Sequence, residues 1–259
     1  MVCGVMGVLN FAHGELYMAG AYVVWLTYAQ GGLPFPLAII VAMAVVAGIS
    51  LVLERSIFRP TRDRPHMGLI ASIGVIFILQ VIVAQVWGVG LTRHVPAALK
   101  GVIEIFGVSA PWQRLIVIPA ATTLLIGLWF FLHRSKAGQA LRATAQDREA
   151  ASLCGISINR AGALAMGLGG ILVGAAGGFM SPLMSVTPYM GHSVIINTIA
   201  ILIVGGLGSI EGVLLASFIF GFLHTFMNTY VGGTLPAIAG VLLMFIVLIV
   251  RPRGILGRA

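Results

Sequence analysis

Long apolar runs separated by short polar segments dominate the chain, and they predict eight membrane-spanning helices. A helix of 18 residues reaches roughly 27 Å, which is close to the hydrocarbon thickness of a bilayer. The first and sixth apolar runs are short, which is typical of half-helices or re-entrant segments. The predicted spans cover residues 14–30, 36–53, 67–87, 112–132, 161–181, 193–207, 211–230 and 234–250.

Composition places this pattern in a membrane. Hydrophobic residues make up 59% of the chain and charged residues 8%, with a mean hydropathy of +1.06. Soluble domains carry about 25% charged residues, and a soluble fold with so few charges would not cover its surface. We therefore predict an all-α integral membrane protein, a polytopic bundle of about eight spans that forms one domain over residues 1–259.

The net charge of +8 is explained by topology. Twelve of the fifteen Lys and Arg residues fall in the loop 54–66, the segment 133–160 and the tail from residue 251. Eight alternating spans put these three segments on one face of the membrane, which the positive-inside rule makes cytoplasmic. Both termini are predicted on the same face, and we expect no nucleic-acid partner.

The stretch from Asn10 to Glu15 places an amide, an imidazole and a carboxylate directly ahead of an apolar run. A carboxylate deep in lipid costs roughly 2.5 kcal/mol or more, so we expect Glu15 to face the bundle, a cavity or the membrane edge. In a structural interpretation, Asn10 caps a half-helix, the helix dipole favours Glu15, and His13 pairs with Glu15. In a functional interpretation, these three side chains line a path through the membrane or its gate.

Glycine is abundant, at 34 of 259 residues, and two clusters stand out. Gly170, Gly174 and Gly178 recur every fourth residue inside one predicted span, which puts small residues on one helix face and permits close helix packing. A flexible gate is the alternative for this row. A second glycine cluster surrounds Ser209 and Glu211 and predicts a broken helix near a membrane edge. These two side chains are further candidates for the path or gate.

The polar segment 133–160 contains a short predicted helix. Residues Gln139 to Leu153 are rich in helix-forming types, and Gly155 stands where a C-terminal cap belongs. One interpretation is a solvated basic loop that serves only to set topology.

No residue pattern supports an enzyme. The sequence contains no G-x-x-x-x-G-K-[ST] phosphate loop, no G-x-S-x-G elbow and no H-E-x-x-H pair. The six histidines are scattered singly, and the two cysteines show neither a disulfide framework nor zinc-ligand spacing. We predict no catalytic residue, no metal site and no cofactor. His224, inside a predicted span, is expected to bond to a neighbouring helix.

The stretch GVLNFAHGELYMAGAY at residues 7–22 closely resembles the N-terminal motif of LivH-type permeases, the membrane subunits of ABC importers for branched-chain amino acids. The resemblance implies a transport subunit of the bacterial inner membrane. Members of the family usually carry a further hydrophobic segment before this motif, so we expect this chain to lack one helix. The resemblance covers nearly the whole chain through later stretches at Glu54-Arg55, Arg59-Pro60, 138–156, 205–209 and 251–257.

The same resemblance implies partners. A LivM-like second permease subunit, two ATP-binding subunits and a periplasmic substrate-binding protein complete such an importer. Glu149-Ala150-Ala151 followed by Gly155 resembles the EAA-x-x-x-G pattern of the coupling helix that docks into the ATPase of ABC importers. The resemblance therefore assigns ATPase coupling to Arg142, Asp147, Arg148, Glu149, Ala150, Ala151 and Gly155.

Other functions stay open at this point. An importer of the same family could carry urea, short amides or other amino acids, because the binding protein largely determines the substrate. A stand-alone secondary transporter or channel predicts charged pairs in mid-span and leaves the helix at 139–155 without a purpose. A membrane subunit of a redox complex predicts paired histidines or intramembrane Lys/Glu pairs, which the sequence does not show.

Overall fold

The computed structural model describes residues 2–6, 10–62, 64–99, 101–105, 108–206, 208–232, 235–251 and 254–256. In this part of the chain helices dominate, and one antiparallel hairpin of two strands, β1 (Val102–Ile105) and β2 (Val108–Pro111), precedes the fifth helix. The helices are α1 (Val2–Met6), α2 (His13–Val24), α3 (Phe35–Leu53), α4 (Pro65–Trp87), α5 (Trp112–Arg134), α6 (Lys136–Gln146), α7 (Arg148–Leu153), α8 (Ile158–Met180), α9 (Met190–Gly205), α10 (Ile210–Tyr230) and α11 (Leu235–Val250).

Among the described residues, five helical stretches are long and apolar enough to cross a membrane, and two apolar helices are shorter. The prediction of a polytopic, all-helical membrane protein is confirmed. The predicted first span consists of α2 and a π-helix, Trp25–Gln30, and is not one of the five. The five are Phe35–Phe58, His66–Trp87, Trp112–Arg134, Ile158–Met180 and Glu211–Tyr230; the shorter two are Met190–Gly205 and Ile238–Val250.

Local signals explain where several helices begin and end. Proline stands in the first turn of α3 and of α4, where the missing N–H has no intrahelical partner to lose. Helix α4 ends at Trp87 and is capped by Gly88, whose φ of +93° lies in the left-handed region that glycine tolerates best. Helix α9 ends before Gly206 and Gly208, with φ of +98° and +94°, which is the break that the second glycine cluster predicts.

Contacts divide the chain into two compact units, mainly residues 4–192 and the residues from 193 onward. In the first unit, α2, α3 and α8 pack on one another and bury side chains such as Leu16, Met18 and Val46. In the second unit, a small apolar cluster from α9 and α10 packs against side chains of α11.

Glycines bring the helices of the first unit close together. A Cβ atom at Gly174 would lie 2.8 Å from the Ala42 carbonyl oxygen and 3.0 Å from Val46 Cβ. One at Gly170 would meet the Ser50 hydroxyl, and one at Gly178 would lie 2.7 Å from Ile39 Cδ1. The row at every fourth residue of α8 therefore lies where α8 touches α3.

Candidate functional site

The motif at residues 10–15 is held by local hydrogen bonds at the start of α2. The Asn10 Oδ1 atom accepts from the Ala12 N–H at 3.0 Å, and His13 Nδ1 lies 3.1 Å from the Asn10 carbonyl oxygen. Ala12, not Asn10, is the N-cap residue, and no side chain caps it. The predicted cap by Asn10 and the predicted pair between His13 and Glu15 are both wrong. Residues two apart on a helix point to different faces, which separates His13 from Glu15.

Glu15 faces the bundle and is 1% exposed. Its Oε1 atom accepts a hydrogen bond from Gln80 Nε2 of α4 at 2.9 Å, while Oε2 is buried without a partner among the described residues. The carboxylate thus joins α2 to α4 near the positive end of the α2 dipole. Gln80 was not predicted from the sequence as the partner of Glu15. The only feature that could have indicated it is an amide side chain inside an apolar span. A role of Asn10, His13 and Glu15 in the path or gate stays a prediction.

A second set of hydrogen-bonded polar side chains links the end of α3 to the start of α8. None of these side chains was predicted as a site residue. The Arg62 guanidinium donates to Glu54 Oε1 at 2.6 Å and to Asn159 Oδ1 at 2.8 Å, with the Arg62 and Glu54 side chains 8% and 3% exposed. Gly162 leaves room for it, because a Cβ there would collide with Arg62 Nη2. Burial lowers the pKa of Arg62, and the Glu54 carboxylate acts in the opposite direction.

The predicted single helix from Gln139 to Leu153 is wrong in one respect: the structure has two helices, α6 and α7, separated at Asp147. The backbone of Asp147 is extended, with φ of −150°, and its Oδ1 accepts from the Glu149 N–H at 2.9 Å and the Ala150 N–H at 3.0 Å. Asp147 is therefore the N-cap of α7, and this local bond competes successfully with a continuous helix.

Helix α7 also has a defined end. Gly155 has φ of +80°, the Ile156 N–H donates to the Ala151 carbonyl at 3.0 Å, and the Gly155 N–H donates to Ser152 at 3.0 Å. These two bonds form a Schellman motif, so Gly155 occupies the capping position that its sequence predicts. Helix α7 is therefore a six-residue helix with a cap at each end.

Two side chains attach α7 to the rest of the first unit. The Arg148 guanidinium donates to the Val5 carbonyl of α1 at 2.9 Å, and Ala151 is 4% exposed. Most of the other predicted coupling residues face outward. The exposed ones are Arg142, Asp147, Glu149, Ala150 and Gly155.

Leu153, at the last turn of α7, was not predicted as a site residue. It is 88% exposed, the largest exposed fraction among the exposed large hydrophobic residues of the described chain. Its segment is polar and basic, in contrast to the lipid-facing helices where exposed leucines are ordinary. Leu153 is therefore a large apolar side chain left exposed one turn after Glu149.

Ser209 and Glu211 belong to the second unit. The Ser209 hydroxyl oxygen accepts from the Gly212 N–H at 3.0 Å and caps α10, and the residue is 6% exposed. Glu211 is exposed in the first turn of α10, where the helix dipole favours a carboxylate. Both side chains therefore have local roles at the start of α10, and their part in a path or gate stays a prediction.

The chain is similar along most or all of its length to permease proteins of one transport family. The family described as "Branched-chain amino acid transport system / permease component" matches residues 1–251. The high-affinity branched-chain amino acid transport system permease protein LivH of Escherichia coli (strain K12) is 30% identical, over 100% of this chain and 88% of the relative. LivH of Salmonella typhimurium is 32% identical, over 100% and 88%. BraD of Pseudomonas aeruginosa, a permease protein with the same description, is 31% identical, over 100% and 89%.

No solved structure matches the chain significantly. The matched range includes the motif at residues 10–15, the α6–α7 segment and all of α10. The similarity therefore extends over every candidate site described above.

Proposed function

This chain belongs to the family of branched-chain amino acid transport system permease components, and we propose that it is the membrane subunit of an ATP-driven importer of branched-chain amino acids. The observation that carries the proposal is similarity along the whole chain to LivH and BraD proteins, at about 30% identity. The direction of transport, into the cytoplasm, follows from the family.

We propose the partners on the same premise. The family is the permease component of such transporters, so ATP hydrolysis is assigned to two separate ATP-binding subunits. A second, LivM-like permease subunit completes the membrane part, and a periplasmic binding protein delivers the amino acid.

The α6–α7 segment is the proposed docking element for an ATP-binding subunit. Leu153 would supply an apolar contact, since burying a leucine side chain contributes about 1.5–3 kcal/mol. Arg142 and Glu149, both exposed, would supply polar contacts around it. The hydrogen bond from Arg148 to the Val5 carbonyl links α7 to α1. A displacement of α7 would therefore be transmitted to α1.

Co-purification with the ATP-binding subunits tests the docking proposal. Leu153→Ser and Glu149→Ala should each weaken assembly and lower ATP-driven uptake. The control Thr92→Ala, at an exposed residue in the loop after α4 and outside α6–α7, should leave both unchanged. Normal assembly and normal coupling in both α7 variants would support instead a solvated loop that only sets topology.

Cargo is tested separately, with the complete transporter in proteoliposomes. ATP-dependent accumulation of leucine supports the proposed function. Accumulation of urea or a short amide in place of leucine would support an ATP-driven importer with a different substrate.

We also place both termini and the α6–α7 segment on the cytoplasmic face, since the basic residues concentrate in these segments. Cys154 is an exposed cysteine next to α7 and reports on this arrangement. In a Cys3→Ser variant, a membrane-impermeant thiol reagent should label Cys154 in inside-out vesicles and leave it unlabelled in intact spheroplasts. Labelling of Cys154 in spheroplasts but not in inside-out vesicles would indicate the opposite orientation in the membrane.

A further inference from the structure

Helix α10 carries a polar stripe, which we define as Ser217, Gly221, His224, Thr225 and Asn228. Four of these positions are separated by four, three and four residues, so they lie on one face of the helix, with Thr225 beside them. All five residues are exposed. The stripe extends along about three turns of a helix that is long and apolar enough to cross the membrane.

The rest of α10 divides into two apolar faces. Ala216 and Phe220 are buried in the cluster that α9, α10 and α11 form. Phe218, Phe222 and Phe226 are exposed, at 68%, 76% and 57%, and recur every fourth residue on a different face from the polar stripe. This aromatic face suits contact with lipid. The exposed surface of α10 therefore has a lipid-compatible half and a polar half.

The polar half is poorly suited to lipid. The Ser217 hydroxyl donates to the Leu214 carbonyl at 2.7 Å, which satisfies it within the helix. Among the described residues, the side-chain hydrogen bonds of α10 involve Ser209, Ser217 and Thr229, and none involves the His224 imidazole or the Asn228 side-chain amide. The predicted bond from His224 to a neighbouring helix is thus not found there. Polar groups inside membrane spans face a bundle interior or a water-filled cavity, because hydrocarbon offers no hydrogen bonds.

A cavity of about 320 Å³ lies along the polar stripe, within the second unit. Asn197 and Ile201 of α9, Gly240 of α11 and four of the five stripe residues contribute to its lining, together with Phe220 and Leu223. At Gly221 an added Cβ would meet no atom of the described residues within 4 Å, so this glycine makes no packing contact with them. Binding sites for small molecules begin at about 300 Å³.

The chemistry of the lining matches one class of ligand. It combines an amide, hydroxyls, an imidazole and aliphatic or aromatic side chains, and the described lining residues include no Lys, Arg, Asp or Glu. Such hydrogen-bonding groups offer donors to a carboxylate and acceptors to an ammonium group, so they suit both ends of a zwitterion. Transport requires reversible binding, since a carried solute must leave its site as easily as it enters.

We propose that the polar stripe of α10 lines the path of the transported amino acid, with the polar side chains on its ammonium and carboxylate groups and the apolar lining on its side chain. This inference rests on the proposed function and deepens it by assigning a surface to the path. A partner protein packed against the stripe is the competing arrangement.

Cysteine accessibility in the assembled transporter distinguishes the two. In a Cys3→Ser, Cys154→Ser background, Ser217→Cys, Gly221→Cys and Asn228→Cys should react with a membrane-impermeant thiol reagent. The matched variants Phe218→Cys and Phe222→Cys, on the aromatic face of the same helix, should not. Leucine at about 100 times its dissociation constant should slow the reaction of the stripe cysteines about 100-fold. Stripe cysteines as unreactive as those of the aromatic face would overturn the inference.

Uptake gives an independent measurement. Asn228→Leu and His224→Leu should each lower the maximal rate of leucine uptake about fivefold, the factor that corresponds to one lost hydrogen bond. Gly221→Leu should block uptake at normal abundance, and Phe222→Leu should leave uptake unchanged. A wild-type transporter that does not carry leucine refutes the proposed function whatever the stripe does. A wild type that carries leucine, with stripe variants that match it in rate, refutes the stripe alone.

Discussion

Helices α8 and α10 are both long enough to cross a membrane, and glycine serves opposite purposes in them. In α8, a Cβ at Gly174 would lie 2.8 Å from the Ala42 carbonyl of α3, so the glycine permits two backbones to touch. In α10, a Cβ at Gly221 would meet no atom of the described part of the chain within 4 Å. A glycine in a membrane helix therefore indicates close packing only where a neighbouring backbone approaches it; elsewhere it leaves space.

Polar side chains show a parallel difference: those of the first unit are paired within the helix packing, and those of the α10 stripe in the second unit are exposed. In the first unit, Arg62 bonds to Glu54 and Asn159, and Gln80 bonds to Glu15, all within or beside the packed helices. In the second unit, the polar stripe is exposed along a cavity. We infer that the paired groups hold helices together, while the exposed groups are free to contact a solute. Each of the following variants tests one side of this contrast.

The largest effect is expected from Arg62→Ala in the first unit. Removing one partner of a buried ion pair leaves an uncompensated carboxylate at Glu54, which costs about 3–5 kcal/mol. The free energy of unfolding, measured in detergent or bicelles, should fall by that amount, and Arg64→Ala, an exposed arginine in the same loop, should show no change. The double replacement Glu54→Leu, Arg62→Met should recover most of the loss. A stable Arg62→Ala variant would contradict a structural role for the pair.

A glycine-to-alanine pair measures the contrast directly. Gly174→Ala should destabilise the protein by about 1–3 kcal/mol, because the added methyl group overpacks the contact between α8 and α3. Gly221→Ala adds the same methyl group to α10, where there is space, and should leave stability unchanged or slightly raised. Thermal unfolding of the two variants, compared at equal expression, provides the measurement. Equal destabilisation would mean that α10 is packed as closely as α8.

The cap of α7 is expected to have a smaller and local effect. Asp147→Ala removes the acceptor for the Glu149 and Ala150 N–H groups, which costs about 1 kcal/mol of helix stability. Hydrogen exchange in residues 148–153 should accelerate while exchange in α8 stays constant. Asp147→Asn retains an acceptor oxygen and should behave as wild type, so a matching acceleration in that variant would rule out capping as the cause.

Much of the fold follows from local features of the sequence. The predicted span 67–87 corresponds to α4 (Pro65–Trp87) and the span 211–230 to α10 (Ile210–Tyr230), because apolar length and the flanking Pro and Gly residues are local signals. The contacts that define the sites are not local. Glu15 and Gln80 are 65 residues apart, and Arg62 and Asn159 are 97 apart.

Two misses have a specific physical cause. High helix propensity across residues 139–153 conceals the break at Asp147, since one side-chain bond decides between a cap and a continuous helix. An average of hydropathy over a window conceals the polar stripe, since it counts residues without regard to the face on which they lie. His224 appeared as a lone polar residue, whereas on the helix it lies one turn from Gly221 and Asn228.

The smallest effect on stability is expected from Glu15→Gln, and this variant tests whether a buried polar group of the first unit also serves transport. Glutamine keeps an oxygen to accept from Gln80, so abundance and unfolding should match wild type, whereas Glu15→Leu leaves the Gln80 amide unpaired at a cost of about 1–3 kcal/mol. If Glu15 only packs helices, Glu15→Gln also transports leucine normally. Loss of leucine uptake at normal abundance would instead place the carboxylate in the path, and the contrast between paired and exposed polar groups would then fail at this residue.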